Sequence, residues 1–208
     1  MPTAEPRLDP KTRRLVIIGM LFNIVLLAGA WYFLIGRPSQ QQPAAAPSAI
    51  GGPFSMTDQV GRTVTDATLR GKPFALFFGF TRCPDVCPTT LNRLAKLRKT
   101  LGRDGNRFNI VFVSVDPGHD KPADIRQYLA LFETPMIGLS GTPDQLAAMI
   151  KAFHVYYRKV PLGKGVDDYT VDHTATIFLM DADGKFVTTI DHAESETMAI
   201  AKLKRLMR

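Results

Sequence analysis

Cysteine is scarce in this chain, with two among 208 residues. So few thiols exclude a disulfide scaffold, and the fold must rest on a buried apolar core, for which the length and 45% apolar content suffice. Charge is also sparse: 26 Lys and Arg against 19 Asp and Glu leave +7, unlike the dense charge and low hydropathy of a wholly disordered chain. No internal repeat divides the sequence, and the eight methionines form no thioether cluster that would mark a methionine copper site. Aromatic and basic residues do not interleave in a recognition pattern, so nucleic acid is not expected as a partner.

One long run lacks charge altogether. Leu15 to Ile35, LVIIGMLFNIVLLAGAWYFLI, holds 21 uncharged residues with Asn23 the only strongly polar side chain. At about 1.5 Å per residue such a helix crosses the roughly 30 Å hydrocarbon layer of a bilayer. Arg7, Lys11, Arg13 and Arg14 precede the run, only Arg37 follows it closely, and Trp31 and Tyr32 lie near its far end. The positive-inside rule then leaves residues 1–14 in the cytoplasm, makes 15–35 a transmembrane anchor in the lipid bilayer, and exports the rest. Ala28-Gly29-Ala30 resembles a signal-peptidase site, but apolar residues continue past it to Ile35, which favours an uncleaved anchor. The short segment before the anchor suits a bacterial inner membrane, with the C-terminal domain periplasmic, better than an organelle presequence. Residues 36–53, rich in Pro, Ala, Gln and Gly without apolar periodicity, read as a flexible linker reaching roughly 50 Å if extended.

From residue 54 to 208, short strand signals alternate with helical ones, the signature of an α/β domain. Asp58 to Val64, centred on Gly61, reads as a hairpin, and Phe74 to Phe80 is a continuous apolar run typical of a strand buried on both faces. Leu91, Leu94, Leu97 and Leu101 place one stripe on a helix from Pro88 to Leu101. A strand is expected at Asn109 to Val115, a helix at Lys121 to Phe132, a strand at Met136 to Leu139 and a helix at Pro143 to Phe153 with Thr142 as N-cap. Thr174 to Met180 and Lys185 to Ile190 flank Asp181-Ala182-Asp183-Gly184 as a hairpin, and a last helix runs from Glu194 to Met207. This order predicts a central mixed β-sheet flanked by helices, with chemistry at the C-terminal ends of the parallel strands. Arg93, Lys96, Arg98, Lys99, Arg103 and Arg107 form the densest basic run, read as a solvated face, with a docking face for an acidic partner as the alternative.

The two cysteines sit together at one such strand end, in Thr81-Arg82-Cys83-Pro84-Asp85-Val86-Cys87-Pro88. A proline disfavours helical geometry in the residue before it, so neither thiol belongs in a regular helix interior, while Pro88 suits a first helical turn. There the free backbone N–H groups and the helix dipole favour thiolate, with Arg82 adding charge if it points inward. A buried inert pair, a redox dithiol and a metal site are all compatible with this spacing. Two soft thiolates suit Cu(I), and copper sites commonly add an imidazole. A peroxidase, with one cysteine resolving the other, has no specific support.

Four histidines compete for that third place. His173, at the entrance to the apolar strand expected from Thr174, has Asp172 beside it as an orienting group, although neighbours on a strand point to opposite faces. His119, in Ser114-Val115-Asp116-Pro117-Gly118-His119-Asp120, lies at a strand exit and is the next candidate. His154 and His192 read as structural or exposed. Spacing alone does not bring any of them to the cysteines.

Gly79-Phe80-Thr81-Arg82-Cys83-Pro84-Asp85-Val86-Cys87-Pro88, then Ser114-Val115-Asp116-Pro117 and Asp172-His173, resembles the Sco/SenC/PrrC family of membrane-anchored copper proteins. The resemblance covers the chain from about Phe54 onward and implies a thioredoxin-like fold. It implies that Cys83, Cys87 and His173 bind one copper ion, Cu(I) or Cu(II). It further implies a copper chaperone that receives the ion from an upstream periplasmic donor and matures the binuclear copper centre of cytochrome c oxidase subunit II. Thiol-disulfide reduction of that subunit, or redox signalling, is the alternative, with Cys83 and Cys87 as the redox pair.

Overall fold

The computed structural model describes residues 9–34 and 50–208, and these fall into two units that are treated separately. Arg7, Ile35 and residues 36–49 of the expected linker lie outside the described residues. The first unit is one helix, α1 (Pro10–Leu34). Leu15, Val16, Ile17 and Ile18, consecutive and therefore spread around its circumference, are all exposed. Among the described residues no helix is long and apolar enough to cross a membrane.

In the second unit, strand β1 (Ser55–Asp58) turns through Gly61, at φ +88, into β2 (Thr63–Thr65), and a short α2 (Asp66–Leu69) follows. The positive φ is open to glycine without the steric cost a Cβ brings. Next come β3 (Phe74–Gly79), α3 (Val86–Thr100), β4 (Asn109–Ser114), α4 (Pro122–Ala130), β5 (Ile137–Ser140) and α5 (Pro143–Phe153). Thr142 caps α5 as expected, its hydroxyl accepting from Gln145 N at 3.2 Å. The chain ends with β6 (Tyr157–Pro161), β7 (Tyr169–His173), β8 (Ile177–Met180), β9 (Phe186–Ile190) and α6 (Glu196–Leu206).

Seven strands form one mixed sheet in the order β2-β1-β5-β4-β3-β8-β9. Strands β3, β4 and β5 run parallel, and β8 closes on β3 antiparallel. Every residue of β3 is buried, which explains its unbroken apolar sequence. Phe77 and Phe112, paired in register, lie on the face where Tyr128 of α4 meets Phe112 and where α3 begins against Gly79. Phe78 points the other way, into Phe153 of α5 and Phe178 of β8. Helices thus cover both faces, and the C-terminal ends of β3 and β4 open at the same edge, where the cysteines follow.

Two expectations need correction. The strand expected from Thr174 begins only at Ile177, and His173 ends a different strand: β6 and β7 pair antiparallel as a two-stranded ribbon outside the main sheet. Short, partly exposed strands with a glycine-containing connection carry too weak an apolar signal to be seen in sequence. The basic run is also not a uniformly solvated face. Arg98 is buried and donates to Phe108 O at 2.8 Å and Thr134 Oγ1 at 3.2 Å, while Arg93 donates to the carbonyls of Asp191 and His192 and Lys96 pairs with Glu196.

Candidate metal and thiol site

Cys83 and Cys87 lie where β3 gives way to α3. Gly79 ends the strand, and an added Cβ there would stand 2.8 Å from Phe112 Cε2 and 3.0 Å from Cys87 Sγ, so only glycine admits Cys87 this close to the sheet. The following loop is pinned by Asp120, fully buried, which accepts from Thr81 N at 3.0 Å, Thr81 Oγ1 at 2.6 Å and Ser114 Oγ at 2.6 Å. Burial pushes the Asp120 pKa up despite those bonds. Cys83 N donates to Phe80 O at 3.2 Å, tightening the turn that aims the first thiol outward.

Cys87 lies inside the first turn of α3, closer to regular helix than its proline neighbour suggested. The preceding Asp85 is the N-cap, yet its side chain makes no capping bond. The Cys87 N–H, which a capping side chain would otherwise engage, reaches Cys83 Sγ at 3.4 Å instead. The sulfur of Cys83 therefore occupies the anion position at a helix N-terminus. Hydrogen bonding from the Cys87 thiol, aided by the backbone N–H groups of Asp85 and Cys87, outweighs burial and brings the Cys83 pKa down to about 4. Cys87 moves the opposite way: donating to Cys83 and being buried both favour its neutral thiol. Arg82 is not the source of this polarity, because its guanidinium turns to Asp116 Oδ2 at 3.1 Å and His119 Nδ1 at 3.0 Å.

His173 completes the group. Its Nε2 stands 3.5 Å from Cys87 Sγ. Its Nδ1 is 3.0 Å from the carbonyl of Thr174, an acceptor only, so Nδ1 carries the proton and in the neutral ring Nε2 turns its lone pair to the sulfurs. Phe77 and Phe80 hold the imidazole edge-on, with ring centroids 6.0 and 6.1 Å away. Asp172 is not the orienting group: it points outward from β7 to Arg158 at 3.1 Å. Phe80, Cys83, His173 and Ala175 help to line an open cleft of about 240 Å³. Among the described residues no group of three or more His, Cys, Asp or Glu side chains is already arranged to hold a metal ion, so Cys83, Cys87 and His173 are brought near one another without forming a finished site. The trio offers two soft sulfurs and one imidazole nitrogen, with Cys83 and His173 facing the cleft and Cys87 buried beneath them.

The other histidines lie elsewhere. His119 bonds to Asp116 Oδ2 at 3.0 Å and meets Tyr169 OH at 2.9 Å. His154 ends α5 in the left-handed conformation, φ +53. The His192 carbonyl accepts from Arg93. Tyr169 was not evident as a site residue in the sequence, although the alternation Tyr169, Val171, His173 puts all three on one face of a strand.

A mixed sheet with a dithiol at a helix N-terminus and an imidazole delivered from a separate ribbon defines a thioredoxin-like α/β protein with a two-sulfur, one-nitrogen site. Residues 42–208 match the SCO1/SenC family, and the chain belongs to that family. Of the solved structures, ScoI of Bradyrhizobium japonicum with copper bound is 48% identical, with TM-score 0.70 over 76% of this chain and 99% of that one. Yeast Sco1 with copper bound is 35% identical, with TM-score 0.70 over 76% of this chain and 87% of that one. The mitochondrial protein SCO2 of Saccharomyces cerevisiae is 33% identical over 87% of this chain, which spans 64% of the length of that relative.

Proposed function

We propose that this protein is a copper metallochaperone that holds one ion, as cargo, through Cys83, Cys87 and His173. The observation that carries this reading is the convergence of His173 Nε2 on Cys87, with the imidazole proton committed to Thr174 at the opposite nitrogen. Two sulfurs and a neutral imidazole suit Cu(I), and Cys83 already favours the thiolate that ligation requires. An open cleft favours delivery, since an incoming ligand reaches the site without unfolding the domain. The copper-bound structures of its relatives support the same cargo. Membership of the Sco family, described as one of cytochrome c oxidase assembly proteins, makes the binuclear copper centre of subunit II the proposed destination and a periplasmic copper protein the proposed donor.

The test is copper stoichiometry and affinity of the full chain, reduced anaerobically, beside Cys83→Ala and His173→Ala. One copper per chain in the parent, lost in both variants, is the expected result; undiminished binding in both overturns the reading.

A second reading rests on the contrast between the two thiols. An ionised Cys83 attacks a partner disulfide, forming a mixed disulfide and releasing one partner thiolate. Cys87 then loses its proton and displaces the second partner sulfur, leaving Cys83–Cys87 oxidised and the partner reduced by two electrons. Reduction of an oxidised partner peptide by the copper-free protein, retained in His173→Ala, is what this role predicts.

The uncharged run from Leu15 to Ile35 supports single-pass anchoring in a bacterial inner membrane, N-terminus cytoplasmic and residues 54–208 periplasmic. Protease added to spheroplasts should digest the C-terminal domain; protection until the membrane is lysed overturns this topology.

A further inference from the structure

Because β6 and β7 stand outside the seven-stranded sheet, no ladder hydrogen bond to that sheet fixes where His173 sits. The ribbon is seated by side chains, and the inward face of β7 carries three of them: Tyr169, Val171 and His173. Val171 is buried in the core and His173 lies between Phe77 and Phe80. Tyr169, at the opposite end of the strand, reaches a polar cluster that no part of the copper or thiol chemistry uses.

Asp116, fully buried after β4, is the centre of that cluster. Its Oδ1 accepts from the Tyr169 hydroxyl at 2.6 Å, and its Oδ2 accepts from Arg82 Nη2 at 3.1 Å and meets His119 Nδ1 at 3.0 Å. Lys159 of β6 donates to the same hydroxyl at 2.9 Å and lies 4.1 Å from the Tyr169 ring centroid, while Arg82 lies 5.1 Å from it. Three segments therefore meet at one carboxylate: the residue next to Cys83, the loop after β4, and both strands of the ribbon that bears His173. A buried carboxylate with several charge-assisted partners fixes geometry more firmly than exposed pairs do.

We propose that Asp116 and Tyr169 are positioning residues for His173, clasping the ribbon to the cysteine loop and so setting the distance from the imidazole to the sulfurs. The consequence for copper rests on the reading above; the seating of His173 does not. Neither residue touches the sulfurs or the imidazole, and the effect travels along one strand whose two ends are the clasp and the donor.

The test uses the full chain in detergent micelles with labelled His and Phe, comparing the parent with Tyr169→Phe, which removes only the hydroxyl, and Asp116→Asn. In the copper-free protein, nuclear Overhauser effects from the His173 ring to Phe77 and Phe80 should fall at least twofold in both variants. Those between Phe78 and Phe153, 5.6 Å apart on the far face of the sheet, should persist. With copper, affinity should drop about tenfold in Tyr169→Phe, and adding His173→Ala to that variant should cost no more than His173→Ala alone. Unchanged His173 contacts in Tyr169→Phe overturn the proposal, and so does an equal loss at Phe78 and Phe153, which marks general loosening. If the parent takes up no copper while the His173 contacts respond as stated, the copper reading falls and the clasp stands.

Discussion

His173 Nε2 lies 3.5 Å from Cys87 Sγ across 86 residues of sequence. The cysteine belongs to the helix that follows the fully buried strand β3, and the histidine to a ribbon whose two strands, among the described residues, pair only with each other. Their meeting makes the imidazole separable from the dithiol by mutation. His173→Ala should weaken Cu(I) binding by at least tenfold, measured by competition with a chromophoric chelator, while thiol-disulfide exchange in the copper-free protein keeps its rate within about twofold. Equal losses of both activities would show that the histidine serves the thiols as well.

The two thiols should differ sharply in reactivity. With a pKa of about 4, Cys83 is thiolate throughout the neutral range, so its alkylation by iodoacetamide should be nearly flat from pH 6 to pH 9. Cys87, buried and displaced upward, should label far more slowly. Cys87→Ala removes the largest stabilising contact of the Cys83 thiolate, so the Cys83 pKa rises and its labelling rate regains a climb through pH 8. Peptide mass spectrometry against time at each pH reads both sites.

Gly79→Ala tests the tight contact under the site. The new Cβ collides with Phe112, Phe77 and Cys87 Sγ together, and a close-packed core yields only by shifting side chains. A loss of about 1–3 kcal/mol in urea unfolding is expected, with weaker copper binding as Cys87 is displaced. Gly61→Ala, at an open surface turn, should leave the site unchanged and pay only for its positive φ.

Asp58 links stability to acid. Burial pushes its pKa up, but hydrogen bonds from Arg62 N at 2.8 Å, Arg62 Nε at 2.8 Å and Val60 N at 3.0 Å outweigh that, and the net shift is downward. A carboxylate whose folded pKa lies below its unfolded one contributes stability that is present above the unfolded value, about 3.9, and is lost as pH falls through the folded value. Asp58→Asn should therefore lower stability at pH 7 and flatten its decline below pH 4. Urea midpoints from pH 7 to pH 2.5 measure both effects.

Much of the domain was legible because its signals are periodic or local. The unbroken apolar stretch at Phe74, the leucine stripe from Leu91, and Pro143 after Thr142 each point to one element, and the structure places all three within two residues of the expected bounds. The cysteine pair was legible for the same reason, as a dense motif at a strand end. The ribbon was not: its outward residues are polar, its inward ones are three, and its partners lie in distant segments. Arg98 misleads for a related reason. A guanidinium on the helix carrying a basic run reads as solvated, and only the fold supplies the buried carbonyl of Phe108 that it meets. Asp172, adjacent to His173 in sequence, faces the other way on the strand, and the orienting contact comes from the Thr174 backbone.

The donor set is divided between two parts of unequal rigidity. Both sulfurs are anchored to the central sheet, whereas the nitrogen rides on an appendage that is free of the sheet's ladder. Opening that appendage uncovers Val171, Tyr157 and Tyr169 and breaks the Asp116 clasp but leaves the rest of the sheet and its helices packed, so it costs less than global unfolding. For the proposed three-ligand copper site, denticity would thus fall from three to two as a local event, with the dithiol geometry intact. Backbone amides of β7 should then exchange with deuterium well before those of β3, and the lifetime of bound cargo should follow the opening of the ribbon instead of the melting of the domain.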